Sequence, residues 1–250
     1  MTVSLFALLL TLGLAVGSMA VYALLGRRAD PDAQSKGSTF LAGAGDFCVH
    51  WLMWVIGPIE RSLLALGFGP DAMNLAGLAF GALSGLLIGL DHVELGGWAI
   101  LAGGVCDILD GRLARAREVV SRYGAFIDST LDRFVEVFAF LGFVYFLRGF
   151  PWGPLVASAA ISGSLLVSYT RARGESVGVQ CKEGLMQRAE RLVLTCLACL
   201  ADAPLSAALE WPRGSLILWT LAVIAAGTFL TAAQRTLWIS ARLREPRPPA

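Results

Sequence analysis

The sequence predicts an all-α integral membrane protein, with a six-helix transmembrane core preceded by an interfacial helix and by an additional N-terminal transmembrane segment. Three observations predict it. Of 250 residues 56% are hydrophobic and only 16% charged, with a mean hydropathy of +0.66, far from the make-up of a water-soluble domain. Apolar runs of about 20 residues, the length of helix that crosses a hydrocarbon core, recur at about 70–90, 95–113, 124–147, 154–173, 189–209 and 215–240. Short connections such as "DHVEL" and "RGFPWG" make neighbouring spans antiparallel and leave no residues for a soluble domain.

In chain order, residues 1–28 hold "VSLFALLLTLGLAVGSMAVYALLG", closed by Arg27 and Arg28. A secretory signal would have a basic start and a shorter apolar run, so a retained transmembrane anchor is expected. Residues 29–46 are polar and rich in Gly, Ser and Asp, the composition of a linker. The membrane domain is expected over 47–240. It opens with "FCVHWLMWVIGPIERSLLALGF" over 47–68, whose tryptophans and late Glu60–Arg61 pair suit a helix lying in the interface, with His50 as a packing residue. Residues 241–250 form a cytoplasmic tail. The five cysteines show neither metal-ligand spacing nor the even count of a disulfide framework, and read as packing residues.

With alternating spans, Arg112, Arg115, Arg117, Arg122, Arg171, Arg173, Lys182, Arg188, Arg242, Arg244 and Arg247 share one side, and only Arg148 and Arg213 take the other. Lys and Arg accumulate on the cytoplasmic side, so the first group faces the cytoplasm of a cell (inner) membrane. Arg27 and Arg28 agree, placing the N-terminus outside. No nucleic-acid partner is expected.

The chemistry concentrates in "CDILDGRLARAREVVSRYGAFIDSTLDR", from Cys106 to Arg133. Asp107 and Asp110 are three apart and Asp128 and Asp132 four apart, so on helices each pair shares one face. A turn before Gly124 can fold the second helix back and bring the four carboxylates together. At membrane depth such a cluster needs cations or basic partners, and oxygen-only ligands favour hard ions such as Mg²⁺, Mn²⁺ or Ca²⁺ over zinc. Gly111 allows close approach to the backbone, Ala114 keeps the next turn small, and Arg115 supplies a planar fork for phosphate. Cations beside a phosphate fork suggest a bound diphosphate. The bland alternative is ion pairing of Asp110 and Asp128 with Arg112, Arg115 or Arg133, which would not require those small residues.

The same residues fill D-x2-D-G-x2-A-R-x8-G-x3-D-x3-D at Asp107, Asp110, Gly111, Ala114, Arg115, Gly124, Asp128 and Asp132. The stretch resembles the signature of the CDP-alcohol phosphatidyltransferases, and the resemblance extends over about residues 47–240. It implies two divalent cations, Mg²⁺ or Mn²⁺, held by Asp107, Asp110, Asp128 and Asp132 against the diphosphate of CDP-diacylglycerol. It also implies Asp132 as general base toward an acceptor hydroxyl, release of CMP, and a homodimer in the membrane lipids. Asp107, Gly111, Ala114 and Arg115 would bind the CDP-lipid. Many relatives open the first core span with Pro-Asn and a Thr three residues later. Here "GPDAMNLAG" has Asp71 and Asn74 at those places, and Asn74 is expected to take part in nucleotide binding.

A second stretch, "SYTRARGESVGVQCKEGLMQRAERLVL", carries Arg171, Arg173, Lys182, Arg188 and Arg191, and "TAAQRTLW" adds Arg235. Flanking charge is one reading; a polyanion site is the other. The run is similar to the subgroup that makes phosphatidylinositol phosphate and its archaeal counterpart, where Ser-Tyr-x-x-Ala-Arg-Ala-Glu is followed by Glu-Arg-x-x-Arg, with Gly174 here for Ala and Gln187 for Glu. The resemblance implies inositol phosphate as acceptor, its phosphate bound by Arg171, Arg173, Arg188, Arg191 and Arg235. Phosphatidylglycerophosphate synthases, with glycerol 3-phosphate as acceptor, are the alternative of the same class. A divalent-cation transporter and a non-catalytic membrane scaffold are alternatives of another. The one-sided placement of the aspartates argues against transport, and their completeness argues against a scaffold.

Overall fold

The computed structural model describes residues 3–25, 44–181 and 184–244. Arg27, Arg28, residues 29–43 of the expected linker, Lys182 and residues 245–250, Arg247 among them, lie outside the described residues. Every regular element described is helical: α1 (Val3–Leu24), α2 (Ala44–Ala65), α3 (Pro70–Gly89), α4 (Val93–Ala116), α5 (Arg122–Phe146), α6 (Gly153–Ser176), α7 (Arg188–Leu209) and α8 (Ser215–Arg244), with a single 3-10 turn at Leu147–Gly149. The six apolar runs coincide with α3 to α8. One boundary needs correction: α2 begins at Ala44, so the end of the 29–46 linker is already helix. Likewise α8 continues through Arg244 into the expected tail.

The turns follow from local sequence. Pro70 and Asp71 occupy the first turn of α3, where a missing N–H costs nothing and a carboxylate meets the positive end of the helix dipole. Between α4 and α5 the chain reverses in five residues. Glu118 adopts the left-handed conformation (φ 57), its N–H donates to Arg115 O (3.1 Å), and Val119 N–H donates to Ala114 O (3.0 Å), the double closure of a helix C-terminus. Ser121 then caps α5, its Oγ accepting from Gly124 N–H at 3.1 Å. This reversal turns the Asp128 helix back toward the Asp107 helix.

Packing is dominated by α3 against α4 and α5, and by α6 against α8, with α7 joining α4 to α8. Glycine sets the closest contacts. A Cβ on Gly85 would collide with the Phe138 carbonyl, one on Gly142 with the backbone of Gly85, and one on Gly81 would come within 2.8 Å of Val135. Small residues at these crossings let helix backbones approach without relying on hydrophobic attraction, which lipid does not provide. The largest buried cluster gathers Ile88, Phe140, Phe143, Leu147, Ile217, Leu221 and Ile224. A second, with Ile56, Met73, Leu109 and Leu113, seats α2 on α3 and α4 beside the aspartate-bearing turns. There Arg112 of α4 is ion-paired with Glu60 of α2. α1 packs on α7 and α2, with Tyr22 against Phe47 and Trp54.

By length and composition α3, α6, α7 and α8 are apolar enough to cross a membrane. Their outward faces present large apolar side chains, among them Leu75, Leu86, Leu155, Trp219 and Leu237. The α4 and α5 helices, equally long, carry the charged residues of the site and turn those inward.

Candidate metal and phosphate site

Asp107 and Asp110 lie in the last third of α4, and Asp128, Asp132 and Glu136 succeed one another at four-residue steps along α5, which puts them on one helix face. One oxygen from each of Asp107, Asp110 and Asp128 lies within 4.8 Å of the others, and Asp110 is buried. Ligands on opposite sides of a hard cation stand about 4–5 Å apart, twice a 2.0–2.6 Å bond, so three such oxygens fit one ion. The donor set is all oxygen, which suits Mg²⁺, Mn²⁺ or Ca²⁺.

Asp132 stands outside that triad. Its Oδ1 is ion-paired with Arg188 Nη2 at 2.6 Å, while Arg188 Nη1 donates to Asp107 Oδ1 at 2.7 Å. One guanidinium fork from α7 therefore bridges the carboxylates of α4 and α5, supplying the basic partner that a carboxylate cluster in a membrane protein requires. Asn74, Asp107, Asp110, Asp132 and Arg188 line a cleft of about 250 Å³. Arg115 is exposed and does not line the cleft; its guanidinium folds back along α4, where a Cβ on Gly111 would come within 3.2 Å of its Nη1. Gly111 thus leaves room for the guanidinium beside Asp110.

A second cavity, of about 540 Å³, shares Asp132 and Arg188 with the first and continues to Glu136, Arg191 and Thr195, with Ile100, Phe140 and Leu192 as apolar walls. Arg191 is 3% exposed. Its Nε donates to Glu136 Oε1 at 2.7 Å, with Nη2 ion-paired to the same oxygen at 2.7 Å, and its Nη1 donates to Met186 O at 3.3 Å. Arg235, also buried, donates from Nη1 to Val167 O at 2.9 Å. The loop before α7 is held against α8 by Met186 N–H donating to Thr231 Oγ1 at 3.0 Å.

Not every expected residue joins them. Arg171 is half exposed and pairs with Glu175 one turn along its own helix at 2.9 Å; Arg173 is exposed and donates to Ser176 Oγ at 3.4 Å. Neither lines either cavity, and Arg235, though buried, does not line them either. Two further residues take part: Glu136, which the sequence does not single out, and Glu60, which it places with Arg61 in an interfacial helix but which holds Arg112. Glu136 continues the Asp128–Asp132 spacing by another four residues and was open to detection on that ground. Glu60 lies 52 residues from Arg112, with no periodicity to connect them.

The site thus combines, in an all-helical membrane architecture, a carboxylate triad that could hold a metal ion, a bridging arginine and a second buried arginine. The model of the CDP-alcohol phosphatidyltransferase family matches residues 70–239. The chain belongs to that family and is an integral membrane enzyme, a transferase. It is 35% identical over 186 residues to a phosphatidylinositol phosphate synthase of Mycobacteroides abscessus, covering 72% of this chain and 81% of that protein. It is 35% identical over 145 residues to an archaetidylinositol phosphate synthase of Methanothermobacter thermautotrophicus, covering 58% of this chain and 69% of the relative. Crystal structures of the Mycobacterium tuberculosis phosphatidylinositol phosphate synthase are similar in fold. One, in complex with manganese and citrate, superposes with TM-score 0.65 at 26% identity over 73% of this chain and 88% of that one. Another, with CDP-DAG bound, gives 0.63 at 26% identity over 73% and 92%.

Proposed function

We propose that the protein transfers the phosphatidyl group of CDP-diacylglycerol to a hydroxyl of inositol phosphate and releases CMP. The observation that carries this reading is that two neighbouring cavities share Asp132 and Arg188 in their linings: metal-competent carboxylates line one, and a buried arginine lines the other. The names of the relatives point the same way.

Asp107, Asp110 and Asp128 hold divalent cation, with Asp132 as the neighbouring fourth carboxylate. Mg²⁺ or Mn²⁺, when bound, neutralises charge on the diphosphate oxygens and on the departing CMP. Asn74, Asp107, Gly111, Ala114 and Arg115 bind the CDP moiety. Asp132 takes the proton of the acceptor hydroxyl as its oxygen attacks the lipid-side phosphorus; the bond from that phosphorus to CMP breaks, and CMP leaves with the electron pair. Arg188 meanwhile exchanges a carboxylate for the acceptor phosphate, which releases Asp132 to act as base. Arg191 and Arg235 hold the same phosphate from the buried side, with Arg171 and Arg173 as outer charges.

In this reading α3 to α8 cross the membrane, α2 lies in the interface and α1 (within 1–28) is a further anchor. The membrane domain runs over 47–240, followed by the tail at 241–250. The aspartates face the cytoplasm, where the basic residues gather, and two copies form the working unit. The test is CMP release and lipid product from purified protein with CDP-diacylglycerol, Mg²⁺ or Mn²⁺, and a panel of inositol phosphate, glycerol 3-phosphate and free inositol. Inositol phosphate is expected to be the best acceptor; preference for glycerol 3-phosphate or for the free alcohol would overturn the assignment.

A further inference from the structure

We propose that Glu136 reads the polyol of the acceptor, its carboxylate hydrogen-bonding ring hydroxyls beside the one that reacts, while its other oxygen holds Arg191 toward the phosphate. This rests on the proposed acceptor and adds a specificity-determining residue to it. Glu136 follows Asp132 by one helical turn on the same face of α5 and lines the 540 Å³ cavity with Asp132, Arg188 and Arg191.

Its contact with Arg191 has an unusual form. A carboxylate and a guanidinium commonly meet fork to fork, with each oxygen taking one N–H. Here Nε donates to Oε1 and Nη2 stands 2.7 Å from the same oxygen, and among the described residues Oε2 has no hydrogen-bond partner. The side chain is only 11% exposed. With Oε1 taken by Arg191, Oε2 keeps its full capacity to accept hydrogen bonds, and it belongs to a residue lining the cavity that contains the proposed base. As an anionic oxygen it accepts hydrogen bonds and repels phosphate, so what it recognises must be a donor. Hydroxyls of a ring polyol are such donors. Inorganic phosphate, though it would meet the same arginines, offers no ring.

That contrast supplies the test. In purified full-length protein, Glu136→Gln is expected to raise the KM for inositol phosphate by about tenfold, the order of one hydrogen bond to a charged group. The KM for CDP-diacylglycerol should stay within about twofold, since one hydrogen-bond's worth of change is not involved there. The inhibition constant of inorganic phosphate, measured as a competitor of the acceptor, should change by less than about threefold, because Arg191 keeps a polar partner in the amide oxygen. Glu136→Asp, which keeps the charge but withdraws it by one methylene, should fall between wild type and Glu136→Gln in acceptor KM. Should Glu136→Gln fail to fold, Glu136→Asp alone decides, by the same comparison of acceptor KM with phosphate inhibition. A parallel loss for phosphate and inositol phosphate would mean that Glu136 only braces Arg191, and an unchanged acceptor KM would mean that it reads nothing; either sinks this inference while leaving the proposed acceptor standing. A wild type that uses no phosphorylated polyol would overturn both.

Discussion

At the scale of single residues, the metal-competent triad and the proposed base separate cleanly. Asp110 is the most enclosed of the three clustered carboxylates, so Asp110→Asn removes a ligand that water cannot easily replace. We expect it to abolish turnover and to lower Mn²⁺ affinity, read by titration with paramagnetic resonance; near-normal turnover at ordinary Mg²⁺ would refute the metal assignment. Asp132→Asn should behave differently, since Asp132 lies outside the triad and on Arg188. Binding of CDP-diacylglycerol by calorimetry should persist while the rate falls about 10²–10⁴-fold, the range for losing a general base. The arginines divide as well. Arg191→Ala and Arg235→Ala should each weaken the acceptor about ten- to a hundredfold, from lost charge-assisted hydrogen bonds. Arg171→Ala should change it by less than about threefold, because that side chain is half exposed and already paired with Glu175. Equal effects from all three would show that burial does not separate Arg171 from the acceptor-binding arginines.

At the scale of elements, the site depends on how closely α5 lies along α3. Gly85 and Gly142 are in backbone contact, and the Asp128–Asp132–Glu136 face is held in register by that crossing. Gly142→Ala must push two backbones apart, an overpacking cost of about 1–3 kcal/mol or more. It should lower the thermal midpoint in detergent and weaken Mn²⁺ binding together; loss of either without the other would show that the crossing does not set the site. Gly174 offers a contrast. A Cβ there would meet the Ile239 side chain and the Val179 carbonyl oxygen, the latter at 3.0 Å. The departure from the Ala of the similar subgroup therefore has a local cause, in the closure of α6 onto α8.

At the scale of the molecule, orientation is the decisive property, because an acceptor made in water and a CDP-lipid held in a leaflet must meet at one face. Ser176 ends α6 and is exposed, and among the described cysteines only Cys48 is not buried. In a Cys48→Ser background, Ser176→Cys should react with an impermeant thiol reagent in inverted vesicles and not in intact cells. Labelling of intact cells would reverse the topology.

Much of this was legible beforehand because membrane helices announce themselves by length and apolarity, and the aspartate spacing is a short-range pattern within two consecutive helices. Residues 107–132 place their own carboxylates once the helix period and the Glu118–Ser121 reversal are granted. The capping residue Ser121 and the first turn of α5 were likewise within reach of local rules.

The sequence by itself determined the helices, the membrane class, the aspartate cluster and the presence of an arginine-rich region, since each rests on contacts between residues a few positions apart or on composition. Tertiary structure alone decided which arginines are inside. Arg188 reaches Asp107 across 81 positions and Arg191 reaches Glu136 across 55, whereas Arg171 turns back on its own helix. Nothing in a linear run of basic residues distinguishes these, because flanking charge and buried ligand share the same residue type, and only the crossing of α4, α5 and α7 selects between them.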